Sequence, residues 1–576
     1  MCMAVDELYE TSVEIITEIL SNYSKFLTRE DTEVLFSLLT SPWAQTLYQG
    51  LISGDFDFEY LQFGMLLLAF GDANTQELAT DIGNGSQYEQ LLPLLCGLLN
   101  AQGYAVQEDK IFVPALEFWT TYVETVLDAS YDDVEGKERW LPTAQSAIFQ
   151  ALGHCMRKIQ FPPAPEFSGW DSVDRTSFKD ARRDFSDLIQ QFYLVTGIQI
   201  LDLFIRYADE AITSSNWAEL EVAWFVILWL CDSIAENEQR DEYLGRILKS
   251  SVLNLITDPS ITLPTRTKRT FLELIKSYSD YFVANTENLP TILNIVFNAT
   301  NTPSLANLAS HSISKLCSEC RTVLLPQLHA FLQQYEHIID NPSLDGVVKE
   351  GVIEGIAALI QAIPDDQSKI GPLNQLLNTI EKDVQKCLGL SSNLKSHAAN
   401  GYNANNDDQA SDPAVVIGLV ALKCLEGMAK GSQMPADLPV DLEKSDDSIT
   451  STFWTIGEGA ALQHRIVTMI HSIMHSLQGH GEIVESSCQI LRKGFQESDP
   501  GPFVLPPEVA AQVIMAANSQ TPRLGFVIRT ASNLINTQKG AKSDSVAEAL
   551  LQWVSQLLRA QGGESSTIPR FHWNDC

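Results

Sequence analysis

Between Thr302 and Cys320 the apolar or small positions are Leu305, Leu308, Ala309, Ser312, Ile313, Leu316, Cys317 and Cys320, stepping by three and four residues. That spacing puts them on one face of an α-helix. Thr302 and Pro303 predict its start: a threonine able to accept from an otherwise unpaired N–H, then a proline where no N–H is needed. Similar punctuation recurs at Leu263-Pro264-Thr265, Leu289-Pro290-Thr291 and Thr521-Pro522. The segment before carries Phe271, Leu274, Ile275, Tyr278 and Phe282 on one stripe, and the segment after carries Leu324, Leu325, Leu328, Phe331 and Leu332. A lone hairpin of such helices cannot bury both apolar faces. A long series of them is stable only when stacked into a continuous core.

The same periodicity runs along the chain. It predicts helices at 6–23, two within 43–70 joined at Ser53-Gly54-Asp55, then 90–102, 113–127 and 141–159. The segment from Phe161 to Asp174 is too proline-rich for a predicted helix. Helical stripes return over 176–212, 216–257, 347–362 and from Pro364 to Leu390, and again over 414–429, 454–495, 507–517, 521–535 and 545–560. About two dozen helices make about a dozen pairs, at the spacing of HEAT-type repeats. No segment shows sustained strand alternation. The predicted fold is all-α, a HEAT-repeat solenoid over 1–390 and 414–561, with a disordered insertion at 391–413 and a tail at 562–576. The insertion is predicted because Ser391 to Pro413 is dominated by Ser, Asn, Ala and Asp and carries too little apolar surface to order itself.

Lys and Arg total 38 against 73 Asp and Glu, a net charge of −35 in 576 residues. Nucleic acid is therefore a poor expected partner, because phosphate binding needs clustered cations. The compact basic runs, Arg266-Thr267-Lys268-Arg269 and Arg182-Arg183, sit among acids or on polar helix sides. An acidic surface attracts basic proteins. Ten scattered Cys and a polar N-terminus predict a reduced intracellular setting without a signal peptide. The apolar run Val222 to Cys231 is shorter than the roughly 18 to 20 residues of a membrane span, so no membrane partner is expected.

Candidate chemistry is sparse. Cys317 and Cys320 form a CxxC, but no second pair stands at zinc-finger distance and both lie on the apolar stripe, which predicts core packing. His471 and His475 share a helix face, with Ser472 where a zinc protease needs its glutamate, so they read as a structural or solvent-facing pair. Gly83-Asn84-Gly85 has no preceding strand and reads as a turn. No enzyme, metal site or cofactor is predicted. Acid clusters recur instead: Asp55, Asp57 and Glu59; Asp128, Asp132, Asp133 and Glu135; Glu219, Glu221, Glu236, Glu238, Asp241 and Glu242; and Asp437, Asp441, Glu443, Asp446 and Asp447. Each alone is an ordinary solvated loop or helix end. Arrayed on the concave face of a solenoid they would hold a basic protein through many weak contacts, and Asp128, Asp132, Asp133, Glu135, Glu219, Glu221, Glu236 and Glu238 are the expected protein-binding residues.

Four segments, VPALEFWTTYVETV (Val113 to Val126), FKDARRDFSDLIQQFYLVTG (Phe178 to Gly197), LASHSISKLCSECRTVLLPQL (Leu308 to Leu328) and GEIVESSCQILRKGF (Gly481 to Phe495), lie in this order along the chain. In them the chain resembles the middle of the importin-13 and transportin-3 branch of the karyopherin-β nuclear transport receptors. The resemblance implies a HEAT-repeat solenoid that shuttles between nucleus and cytoplasm. It implies protein cargo, here basic and held on the acidic face, and phenylalanine-glycine nucleoporins held in apolar grooves between outer helices. It also implies the GTPase Ran as regulator, although the repeats that carry the family's main Ran-binding surface are expected to precede Met1, and further repeats to follow Cys576. The alternative reading is a HEAT-repeat scaffold that assembles a complex without shuttling.

Overall fold

The computed structural model describes residues 6–82, 87–131, 137–339, 344–399, 412–435, 452–497, 499–537 and 541–562. Its described backbone is helical, with short 3-10 turns and one isolated bridge between Ala105 and Asp109. The chain divides into two compact units, Met1–Ser277 and Tyr278–Cys576.

In the first unit the helices Asp6–Tyr23, Phe58–Ala73, Phe112–Tyr131, Ser172–Thr196, Trp217–Trp229 and Thr265–Ser277 form one row, each packed on the next. A second row begins with Pro42–Ile52, Leu91–Leu98 and Lys137–Lys158. The second unit repeats the scheme. Pro303–Glu319, Gly346–Gln361, Pro413–Gly431, Gly481–Phe495 and Leu524–Thr537 form one row, and Leu328–Ile339, Asp366–Ala399 and Glu458–Ser476 run in the other. A helix thus leans on the helices one pair before and one pair after it, as in stacked helical repeats. The predicted all-α, HEAT-type architecture is what the rows show.

Several local expectations change. Pro303 does open its helix, but the Thr302 side chain makes no cap bond; its carbonyl takes the N–H groups of Leu305 and Ala306, each at 2.8 Å. An additional helix, Arg29–Leu39, starts at a Thr28–Asp31 capping box. The proline-rich stretch after Phe161 holds a short helix, Ala164–Gly169, entered through Pro163, where a proline ring presets the backbone without a needed N–H. The helix from Asp366 extends to Ala399, past the expected break at Ser391, whose hydroxyl donates to the Ser476 carbonyl. Residues 400–411 of the expected insertion, and the tail from 563, lie outside the described residues, while Asp412 and Pro413 already open the next helix, Pro413–Gly431.

The helical run Ser172–Ser214, rather than Val222 to Cys231, has the length and apolar composition of a membrane span. It is interrupted at Gly197, where φ is 68°. Phe185, Ile189, Phe192 and Leu201 from this run are fully buried in the first unit. Its inward stripe is part of the core.

Candidate functional site

Arg182 lies on the stripe Phe178, Ala181, Phe185, Ile189 of its helix, so it faces inward. Its Nη2 donates to both carboxylate oxygens of Glu221, at 2.9 and 3.1 Å, and its Nη1 donates to the Ile159 carbonyl. Its Cζ stands 4.2 Å from the ring centroids of both Phe161 and Phe225. Both partners are only 4% exposed. Thr270 donates to Glu221 Oε1 at 2.9 Å and completes the network. Burial pushes the Arg182 pKa below its ordinary value, against the upward pull of Glu221.

Next to this pair a cavity of about 1000 Å³ opens between four stretches of chain, 103–108, 157–164, 217–221 and 264–269. Asp109 anchors the first. Its Oδ1 accepts from the N–H groups of Ile111 and Phe112 at the start of helix Phe112–Tyr131, and its Oδ2 lies 2.5 Å from Lys158 Nζ, which also donates to the Gly103 carbonyl at 2.6 Å. Burial raises the Asp109 pKa, opposed by Lys158 and the two backbone donors. The second stretch is braced by aromatic rings. Phe161 lies 5.3 Å from both Phe167 and Phe178, and Trp170 lies 5.2 Å from Phe167 and 5.7 Å from Tyr104. The fourth stretch is pinned where Thr267 Oγ1 donates to the Trp217 carbonyl at 3.2 Å.

Arg266 is the distinctive wall. Its Cζ stands 3.5 Å from the Phe161 ring centroid and 5.0 Å from that of Phe167, a close cation–π stack. Among the described residues its guanidinium has no hydrogen-bond acceptor. It is half-buried, which lowers its pKa, while Glu221 pulls it up. The basic run expected on a polar helix side therefore turns one arginine into a cavity, with Arg269 at the rim.

The expected acidic residues do not gather into one patch. Glu221 is consumed by Arg182 and is not a surface acid. The signal was in the sequence: Glu219 and Glu221, two apart, cannot share a helix face, and Glu221 is flanked by Leu220 and Val222. Glu219 is partly exposed in the first turn of Trp217–Trp229, whose cap Asn216 accepts its N–H. Glu236 and Glu238 are exposed beyond the far end of that helix, separated from Glu219 by a helix length of about 20 Å. Asp128 is exposed near the end of Phe112–Tyr131, while Asp132, Asp133 and Glu135 lie outside the described residues, as does the cluster 437–447.

Cys317 and Cys320 are fully buried, as the stripe predicts, and burial pushes the Cys320 thiol up to about 12 and that of Cys317 higher still. His471 and His475 face solvent with parallel rings 6.0 Å apart. In the second unit an apolar groove of about 390 Å³ runs between Leu289–Ala299 and Leu328–Ile339, walled by Leu293, Phe297, Val323, Leu324 and Phe331. The rings of Phe297 and Phe331 meet edge to face at 5.5 Å.

No family model matches the chain. It is 25% identical over 96% of its length to the importin beta-like protein kap111 of Schizosaccharomyces pombe, of which it covers 54%. It is 20% identical over 56% of its length to human importin-13, of which it covers 32%. The chain thus spans about half or less of the length of the curated relatives it matches. A solved structure of importin-13 in its cytosolic state superposes with a TM-score of 0.78 at 16% identity, over 97% of this chain and 60% of that one.

Proposed function

We propose that this chain, a karyopherin-β relative of the importin-13 branch, acts as a nuclear transport receptor that binds protein cargo and passes the nuclear pore. The observation that carries this reading is kinship along nearly the whole chain to an importin beta-like protein, joined to the importin-13 fold. Stacked helix pairs supply extended surface for protein contacts, and two features among the described residues suit the two tasks. Exposed acids of the first unit attract basic cargo by long-range charge. The Leu293–Phe297–Phe331 groove of the second unit is apolar, open and of a size to take single phenylalanine side chains of phenylalanine-glycine nucleoporins. Ran is the regulator that the same kinship suggests.

Retention on a phenylalanine-glycine repeat resin tests the proposal. The wild-type chain is expected to be retained. Leu293→Ser with Phe297→Ser is expected to elute early while keeping its helical circular dichroism. A wild-type chain that flows through the resin would point instead to a scaffold that does not shuttle.

A further inference from the structure

We infer that the Arg266 cavity is a binding site for an acidic segment of a partner protein, with side-chain carboxylates taken by the Arg266 guanidinium between Arg157 and Arg269. This does not depend on the transport reading, and it is opposite in sign to the attraction of basic cargo by the acidic surface.

In a chain of net charge −35, the cavity is lined by Arg157, Lys158, Arg266 and Arg269 against Glu108 and Glu221. The two deepest of these charges are already engaged, Lys158 by Asp109 and Glu221 by Arg182. Arg182 and Thr270 hold Glu221, and among the described residues it takes no hydrogen bond from Arg266.

A guanidinium held 3.5 Å from the Phe161 ring centroid has lost much of its rotamer freedom before any ligand arrives, and its N–H edges form a planar fork matched to a carboxylate. It is partly desolvated and, among the described residues, has no protein acceptor, so a bound carboxylate would supply hydrogen bonds that the described fold leaves unmade. The cavity, at about 1000 Å³, is too large for a lone ion. Tyr104, Pro162, Pro163 and Trp217 give it apolar walls for the body of an extended peptide. The same inventory favours carboxylates over phosphate: Glu108 remains in the lining and opposes a dianion more than a monoanion.

The test is fluorescence anisotropy with the full chain and a labelled Asp- and Glu-rich peptide of about ten residues, long enough to cross a pocket of this class. Controls are the matching Asn and Gln peptide and competition by inorganic phosphate. Overall charge repels the acidic peptide, so saturable binding reports a local site. The expected result is binding of the acidic peptide alone, weakened about tenfold or more by Arg266→Ala, since a bidentate charged pair is lost. Arg266→Lys, which keeps the charge but not the fork, is expected to weaken it nearly as much. Arg183→Ala, at a surface arginine paired with Asp180, is expected to leave it unchanged, and melting curves check the fold of each variant. Equal binding of both peptides, wild-type affinity in both Arg266 variants, or phosphate binding without peptide binding would each overturn the inference.

Discussion

Arg182 and Glu221 show how much a single buried charge pair decides. Each is nearly dry and hydrogen-bonded to the other, an arrangement in which removing one partner strands the other. Glu221→Gln is expected to lower unfolding stability by about 3 to 5 kcal/mol, while Arg182→Met with Glu221→Leu together cost far less, because both desolvation penalties disappear. Urea denaturation of the three proteins measures both. A Glu221→Gln variant as stable as wild type would show that the pair contributes nothing. The expectation that Arg182 sits among acids or on a polar helix side fails, since Arg182 is buried, although it does occupy an apolar stripe and Glu221 an apolar run. The pairing itself joins residues 39 apart, and periodicity within one helix carries no information about which neighbour arrives.

At the scale of the element, periodicity located most helices because each must bury one stripe, and it marked Asp6–Tyr23 at both ends. It is weaker where local hydrogen bonds or proline geometry decide, as at Thr28–Asp31 and Ala164–Gly169. It says nothing about how closely two helices approach. In the second unit Pro413–Gly431 runs so near Gly346–Gln361 that a Cβ on Gly427 would stand 2.5 Å from the Glu350 carbonyl oxygen. A backbone atom cannot swing aside. Gly427→Ala is therefore expected to destabilise by about 1 to 3 kcal/mol, the range for overpacking. Gly389, on the exposed side of Asp366–Ala399 with nothing near its would-be Cβ, is expected to respond oppositely. Gly389→Ala should stabilise by about 0.5 to 1 kcal/mol, through helix propensity and reduced freedom of the unfolded chain. Thermal melts that move the same way for both variants would contradict this account of the packing. The cavity, by contrast, was beyond sequence reading because four separated stretches build it.

At the scale of the whole molecule, the charge of −35 matters through where its exposed part lies. In the first unit Gln191 bonds Glu124 on one side of helix Ser172–Thr196, and Tyr193 accepts from Asn237 on the other. The C-terminal half of this helix therefore runs between the segment ending in Asp128 and the turn carrying Glu236 and Glu238, and it adds exposed Asp187. Exposed acids thus stand on three neighbouring elements, while Glu219 stands at the far end of its helix and Glu221 is buried. Exposed charges are screened over about 8 Å at physiological ionic strength, so such acids act chiefly on encounter with a basic partner. Neutralising Asp128, Glu236 and Glu238 together as Asn and Gln is expected to lower the association rate of a basic cargo several-fold at low salt and to flatten its salt dependence. The dissociation rate should change little. Glu219→Gln, at the other end of its helix from Glu236 and Glu238, is expected to have the smaller effect. Stopped-flow association at low and high salt separates the outcomes: identical rates and salt slopes for wild type and triple variant would mean that these acids only solvate their helices, and that cargo is met elsewhere on the chain.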